Sequence, residues 1–270
     1  IKETEKLLIK LPDNIFLINL IGSSYQNLGD HKTAIKTFLH ILNLDNKNIA
    51  AYNNLGNVFK NMKNFEEAKI NYEKALEINP NFVNARTNYG NLFFELNNYE
   101  AAITNLKKAI DIDNKSVQPY YNLGVVYQSI GETEKALQNF EMVLKLAPYF
   151  TNADKMISRF TKYSKNHHHI KQMEDKIKNQ KLNHSQKSQL HFALGKAYED
   201  FEEFGTSFQN IKLGNYHKKK FIKYDLSDDL KTFKELKVFF SKYNFQSNSK
   251  NSKDKKIIFI IGLPRSGTSL

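Results

Sequence analysis

Over the first 150 positions, apolar residues recur three and four apart in blocks of about a dozen, and Asn, Asp, Gly or Pro close each block. One face of a 3.6-residue helix collects positions i, i+3, i+4 and i+7, so this spacing predicts short amphipathic helices rather than strands. The blocks also repeat. Glycine stands at Gly22, Gly56, Gly90 and Gly124, each followed three residues on by Tyr25, Phe59, Phe93 or Tyr127. Twelve residues after each glycine comes an alanine (Ala34, Ala68, Ala102, Ala136), and four further on a bulky residue (Phe38, Tyr72, Leu106, Phe140). Ile41, Ala75, Ala109 and Val143 follow, and Asn46, Pro80, Asn114 and Pro148 close the units. Each unit therefore reads as two amphipathic helices joined by a turn. Small Gly and Ala let the helices approach, aromatics fill the seam, and Pro or Asn ends the second helix.

A 34-residue pair of helices with these positions resembles the tetratricopeptide repeat. The resemblance covers units 15–48, 49–82, 83–116 and 117–150. Residues 1–14 resemble the second helix of a preceding unit, since Pro12 and Leu7 lie 34 before Asn46 and Ile41. A first residue of Ile leads to the expectation that the N-terminus is truncated. The resemblance implies an all-α, right-handed superhelix with the first helices on its concave face. On that face Asn54, Asn88 and Asn122 share one repeat position, and Asn57 and Asn91 lie three residues on. An asparagine ladder can hydrogen-bond a peptide main chain without reading its side chains. It is similar to the ladder in the repeat domain of O-GlcNAc transferases, which implies a protein or peptide partner. The plainer alternative is that Asn, abundant in this chain, only solvates a surface.

After Phe150 the pattern loosens. Residues 151–187 read as a helical linker. Within it His167, His168 and His169 read as solvated, because adjacent helical residues point to different faces and no spaced carboxylate completes a metal site. Residues 188–221 read as a divergent repeat-like pair in which Gly195, Tyr198 and Ser207 keep the glycine, aromatic and small positions. Residues 222–255 read as a helix at 225–243 (Leu226, Leu230, Phe233, Leu236, Phe240) and a polar linker.

Charge sharpens this division. The chain has 40 basic and 28 acidic residues, net +12, and no cysteine. Residues 1–150 carry 16 of each sign, so the whole excess lies in 151–270. A neutral array speaks against nucleic acid as its partner. With only three arginines (Arg86, Arg159, Arg265), much of the lysine excess also fits a compositional bias. The missing cysteine excludes disulfides, Cys-ligated metal and cysteine nucleophiles, and it fits a cytoplasmic setting. No apolar run near either end approaches the ~20 residues that span a bilayer, so no membrane is expected.

Residues 256–270 differ from everything before them. Ile257–Ile261 is a short apolar run between Lys and Gly, the pattern of a buried parallel strand. A glycine loop and hydroxyl residues follow, as in an anion cradle at a helix N-terminus. Gly262 and Gly267 have the spacing of a nucleotide P-loop, but Thr268 stands where its lysine belongs and the basic residue is Arg265. Pro264-Arg265-Ser266-Gly267-Thr268-Ser269 resembles the 5′-phosphosulfate loop of sulfotransferases, tyrosylprotein sulfotransferases in particular, and of bacterial proteins that join tetratricopeptide repeats to such a domain. The resemblance implies sulfuryl transfer from 3′-phosphoadenosine 5′-phosphosulfate to an acceptor hydroxyl, without a metal. Arg265 would offset charge on the phosphosulfate, and Ser266, Gly267, Thr268 and Ser269 would hold the 5′-phosphate. The family's catalytic base and 3′-phosphate site lie downstream of this loop, so these 270 residues are expected to be inactive alone. Two alternatives stay open: a non-enzymatic repeat scaffold, and a repeat-bearing transferase of another class.

Overall fold

The computed structural model describes residues 2–178, 181–222 and 225–241. Their regular elements are all helices: α1 (Lys2–Lys10), α2 (Ile15–Asn27), α3 (His31–Leu44), α4 (Ile49–Asn61), α5 (Phe65–Ile78), α6 (Val83–Glu95), α7 (Tyr99–Ile112), α8 (Val117–Ser129), α9 (Thr133–Leu146), α10 (Thr151–Phe160), α11 (His168–Ile177), α12 (His184–Asp200), α13 (Phe204–Ile222) and α14 (Leu226–Ser241). The strand expected at 257–261 and the loop at 262–270 lie outside the described residues.

Local chemistry sets the helix ends. Asn14, Asp30, Asn48, Asn64 and Asn98 each accept a hydrogen bond from the backbone N–H three residues on, satisfying one orphan donor of a helix start. Between the helices of each unit the chain turns through one left-handed residue at a constant repeat position: Gly29, Lys63, Asn97 and Gly131, with φ of 80°, 61°, 58° and 81°. Glycine takes that conformation freely, asparagine tolerates it, and Lys63 adopts it against its steric preference.

Packing within a unit rests on the glycine and bulky positions of the sequence. A Cβ placed on Gly56 would lie 2.5 Å from the Tyr72 ring, on Gly22 2.7 Å from Phe38, on Gly124 2.7 Å from Phe140, and on Gly90 2.8 Å from Leu106. The first helix thus offers a bare backbone patch into which the second inserts its largest side chain. Phe38, Tyr72, Leu106 and Phe140 are fully buried. Between units, the first helices touch one another (α2 with α4, α4 with α6, α6 with α8), and the second helices do so less. Elements packed closer lie on the inside of a curve, so α2, α4, α6 and α8 form the inner wall of a solenoid.

Beyond α9 the pairing changes. α10 packs on α9 and α12, and α11 packs on α12 rather than closely on α10. Ser158 stands where a repeat glycine would be, and Glu174, sixteen residues on, replaces the bulky partner. With neither half of the contact present, the pair lies open. α12 and α13 restore close packing: a Cβ on Gly195 would lie 2.8 Å from Ile211, at the same sixteen-residue spacing. Residues 1–222 make one compact unit. α14 belongs to a second unit; it is amphipathic, with Leu226, Leu230, Phe233, Leu236 and Phe240 all exposed.

Candidate peptide-binding face

The asparagines of the inner wall are joined to one another. Asn54 Nδ2 donates to Asn19 Oδ1 at 2.8 Å, Asn53 Nδ2 donates to Asn54 Oδ1 at 3.2 Å, and Asn88 Nδ2 donates to Asn53 Oδ1 at 2.9 Å. A chain of amides therefore crosses α2, α4 and α6, with Asn54 and Asn88 each donating to the first helix of the preceding unit. Sequence spacing located Asn54 and Asn88 but missed Asn19 and Asn53, one position earlier in the unit. The next joint is open. Asn122, 8% exposed, accepts from Gln118 at 2.7 Å, and its Nδ2 is buried without a partner among the described residues. The residue at the Asn53 position of the preceding unit is Thr87, whose hydroxyl already donates to Val83 O at 2.7 Å.

Asn57 and Asn91 are placed differently. Asn57 Oδ1 accepts from Tyr72 Oη at 2.7 Å, which leaves its Nδ2 without a partner among the described residues; Asn91, half-buried, makes no hydrogen bond with a described residue. These two amides keep polar atoms on the inner wall that are unpaired among the described residues. Burial, and then the Glu95 charge, push the Tyr72 hydroxyl far above the usual phenol range, so it remains a donor to Asn57.

At the α10 end the wall becomes cationic. Lys155 and Arg159 occupy the repeat positions of Asn53 and Asn57, and neither forms an ion pair with a described residue. Burial, then the charges of Arg159 and Lys218, push Lys155 down from its ordinary value. Polar bonds continue the wall: Asn152 donates to Tyr121, and Thr151 donates to Gln189 at 2.6 Å. At the middle of the wall Glu95 bridges Lys60 at 3.0 Å and Lys63 at 2.9 Å. Partial burial raises its carboxyl, but the hydrogen bonds from both lysines outweigh this and hold it below the ordinary range. Stability from this bridge is present above the unfolded carboxylate value and is lost as pH falls through the lower folded one.

The histidine run is solvated at His168 and half-exposed at His167, but His169 departs from the solvated linker that the sequence indicates. His169 is 3% exposed and bridges two buried groups: its Nδ1 lies 2.7 Å from Tyr163 Oη, and its Nε2 lies 3.0 Å from Asp154 Oδ1. Lys176 Nζ reaches the same oxygen at 2.6 Å. Asp154 is 0% exposed, and its Oδ2 has no partner among the described residues. Adjacent histidines do point to different faces, and one of those faces is the core. The signal available in sequence was acidic Asp154 on the apolar face of α10, beside Ala153 and Ile157. A groove of roughly 960 Å3 lies beside this cluster, between α9, α10 and α11, with Leu144, Ile157, His167 and Lys176 among its lining residues. No group of three or more His, Asp or Glu among the described residues is arranged to hold a metal ion.

Arg265, Ser266, Gly267, Thr268 and Ser269 lie outside the described residues. No described helix is long and apolar enough to cross a membrane.

Helix pairs stacked with their first helices inside define an α-solenoid. Models of the tetratricopeptide repeat match residues 17–48, 49–82, 71–104 and 117–150, and a TPR repeat model matches 90–131. Residues 17–150 are an array of tetratricopeptide repeats. A Pseudomonas aeruginosa pilF structure is 18% identical and covers 82% of this chain and 97% of its own, with a TM-score of 0.56; that likeness shows the fold. A MamA structure is 22% identical over 76% of this chain and 98% of its own, with a TM-score of 0.44. A search of curated proteins gives no match.

Proposed function

We propose that the chain is a protein-interaction scaffold whose inner wall holds an extended peptide. The observation that carries this reading is the division of labour along the wall. Asn19, Asn53, Asn54 and Asn88 tie the helices together, and Asn57 and Asn91 are left to bind the partner's main chain. Lys155 and Arg159 favour an acidic side chain or carboxylate at the α10 end. A peptide main chain offers a donor and an acceptor at every residue, which suits amides that can do either. The test is selection of peptides from a random library on the intact chain. Enriched peptides should carry an acidic residue and bind Asn57→Ala/Asn91→Ala at least about tenfold more weakly, a loss of about 1.4 kcal/mol. Unchanged affinity in that variant rejects the reading.

A second reading rests on one feature, the sequence Pro264–Ser269. In it the repeats deliver an acceptor to a sulfotransferase domain that begins at residue 256. The S–O bond to the donor phosphate breaks as the acceptor oxygen bonds sulfur, the acceptor's proton passes to the base that the resemblance places downstream of this loop, and Arg265 offsets charge on the leaving phosphate. A protein carrying the whole domain should consume 3′-phosphoadenosine 5′-phosphosulfate, and Arg265→Ala should abolish that turnover. Normal turnover in the variant removes Arg265 from the chemistry.

A further inference from the structure

Three imidazoles meet where α12 packs on α13. His184, in the first turn of α12, and His217, near the end of α13, place their Nδ1 atoms 2.8 Å apart. His191, two turns along α12 and 8% exposed, stacks on His217 with ring centroids 5.7 Å apart and planes 9° apart. Its own Nδ1 is engaged by Asn210 Oδ1 at 3.0 Å. The helices beneath are in close contact. Ser188 Oγ donates to Gly214 O at 2.9 Å, and a Cβ on Gly214 would meet the Phe192 ring at 3.0 Å.

The contact has a proton requirement. Two Nδ1 atoms at this distance share one hydrogen, so one ring must offer a bare lone pair. The pair can be neutral or carry one positive charge. A second added proton puts N–H against N–H and removes the bond. The surroundings offer no relief. The charged and titratable neighbours are Lys187 on α12, Tyr216 and Lys218 on α13, and, on α10, Lys155 within Coulombic reach of Lys218 and of Arg159. None of these cations is ion-paired with a described acid.

We propose that His184, His191 and His217 form an acid-opened clasp that holds the last turns of α13 against α12 at neutral pH and releases them when the histidines become fully protonated. Burial first, then His191 and His184, hold the His217 ring below the ordinary histidine value. The sign follows: the unfolded chain takes this proton before the folded one, so the clasp is intact above the ordinary value and is lost as pH falls below it.

The experiment is amide hydrogen exchange on the whole chain at about pH 7.5 and about pH 5.5, corrected for intrinsic exchange and referenced to α6 and α7. Protection in α13 from Leu213 to Ile222 should fall about tenfold relative to the reference, as for one disfavoured proton. In His184→Gln/His217→Gln the same ratio should stay constant with pH. A pH-independent ratio in the native chain, or an equal fall in the double variant, overturns the proposal. Should the variant not fold, NMR titration of the native imidazoles decides instead. Coupled titration of His184 and His217, one of them below the ordinary range, supports the clasp, and independent titration near the ordinary value overturns it.

Discussion

The strongest single-residue constraint is the absence of a side chain. Gly56 faces the Tyr72 ring so closely that Gly56→Ala must push an aromatic out of a filled core. A loss of about 1–3 kcal/mol is expected, read as a lowered unfolding midpoint. Gly205, near the start of α13, has open space where a Cβ would sit, with no atom within 4 Å, so Gly205→Ala should be neutral or gain up to about 1 kcal/mol. Equal effects at the two glycines would contradict this packing. The amide chain gives a second residue-scale prediction. Thr87 interrupts it and leaves Asn122 Nδ2 unpaired, so Thr87→Asn should close the joint and add about 1 kcal/mol. Asn88→Ala should cost a similar amount, and a lower melting temperature in Thr87→Asn would count against the ladder. The glycines were legible in sequence because they recur at a fixed period, and Asn88 was marked by the same period, although as a peptide contact rather than a tie between helices. Asn19 and Asn53 were not, because Thr87 and Tyr121 replace them in the following units.

Among elements, α10 and α11 depart furthest from the repeat. Their contact runs through the fully buried Asp154, which accepts from His169 and Lys176. Removing one partner of a buried charge pair leaves the other uncompensated. Asp154→Ala should therefore cost about 3–5 kcal/mol, with hydrogen exchange rising first in α11. Asp154→Leu/Lys176→Met removes both charges and should recover most of that loss. A double variant no more stable than Asp154→Ala would show that the charges are not what joins the helices. Periodicity detects apolar faces and repeated small residues, and this pair is held by polar groups placed once. Three adjacent histidines look solvated unless Asp154 and Tyr163 are known to face them.

For the whole molecule, residues 1–222 act as one solenoid in which each unit contacts its neighbours, so damage at one joint spreads through the stack. The array itself was plain in sequence, since four units agree position by position. The pairing of asparagines along the wall was not, because deciding which of them are spent on neighbouring helices requires the distances between helices. The net +12 of the chain takes on a more specific meaning as well. It lies wholly beyond the neutral repeats, and Lys155 and Arg159 bring part of it onto the inner wall. The central claim is that this wall holds a peptide, and the most direct measurement is the hydrogen-exchange footprint of a selected acidic peptide on the intact chain. Protection is predicted in α4, α6, α8 and α10, with little change in α5, α7 and α9. A footprint confined to the groove between α9 and α11, or no footprint at saturating peptide, would contradict it.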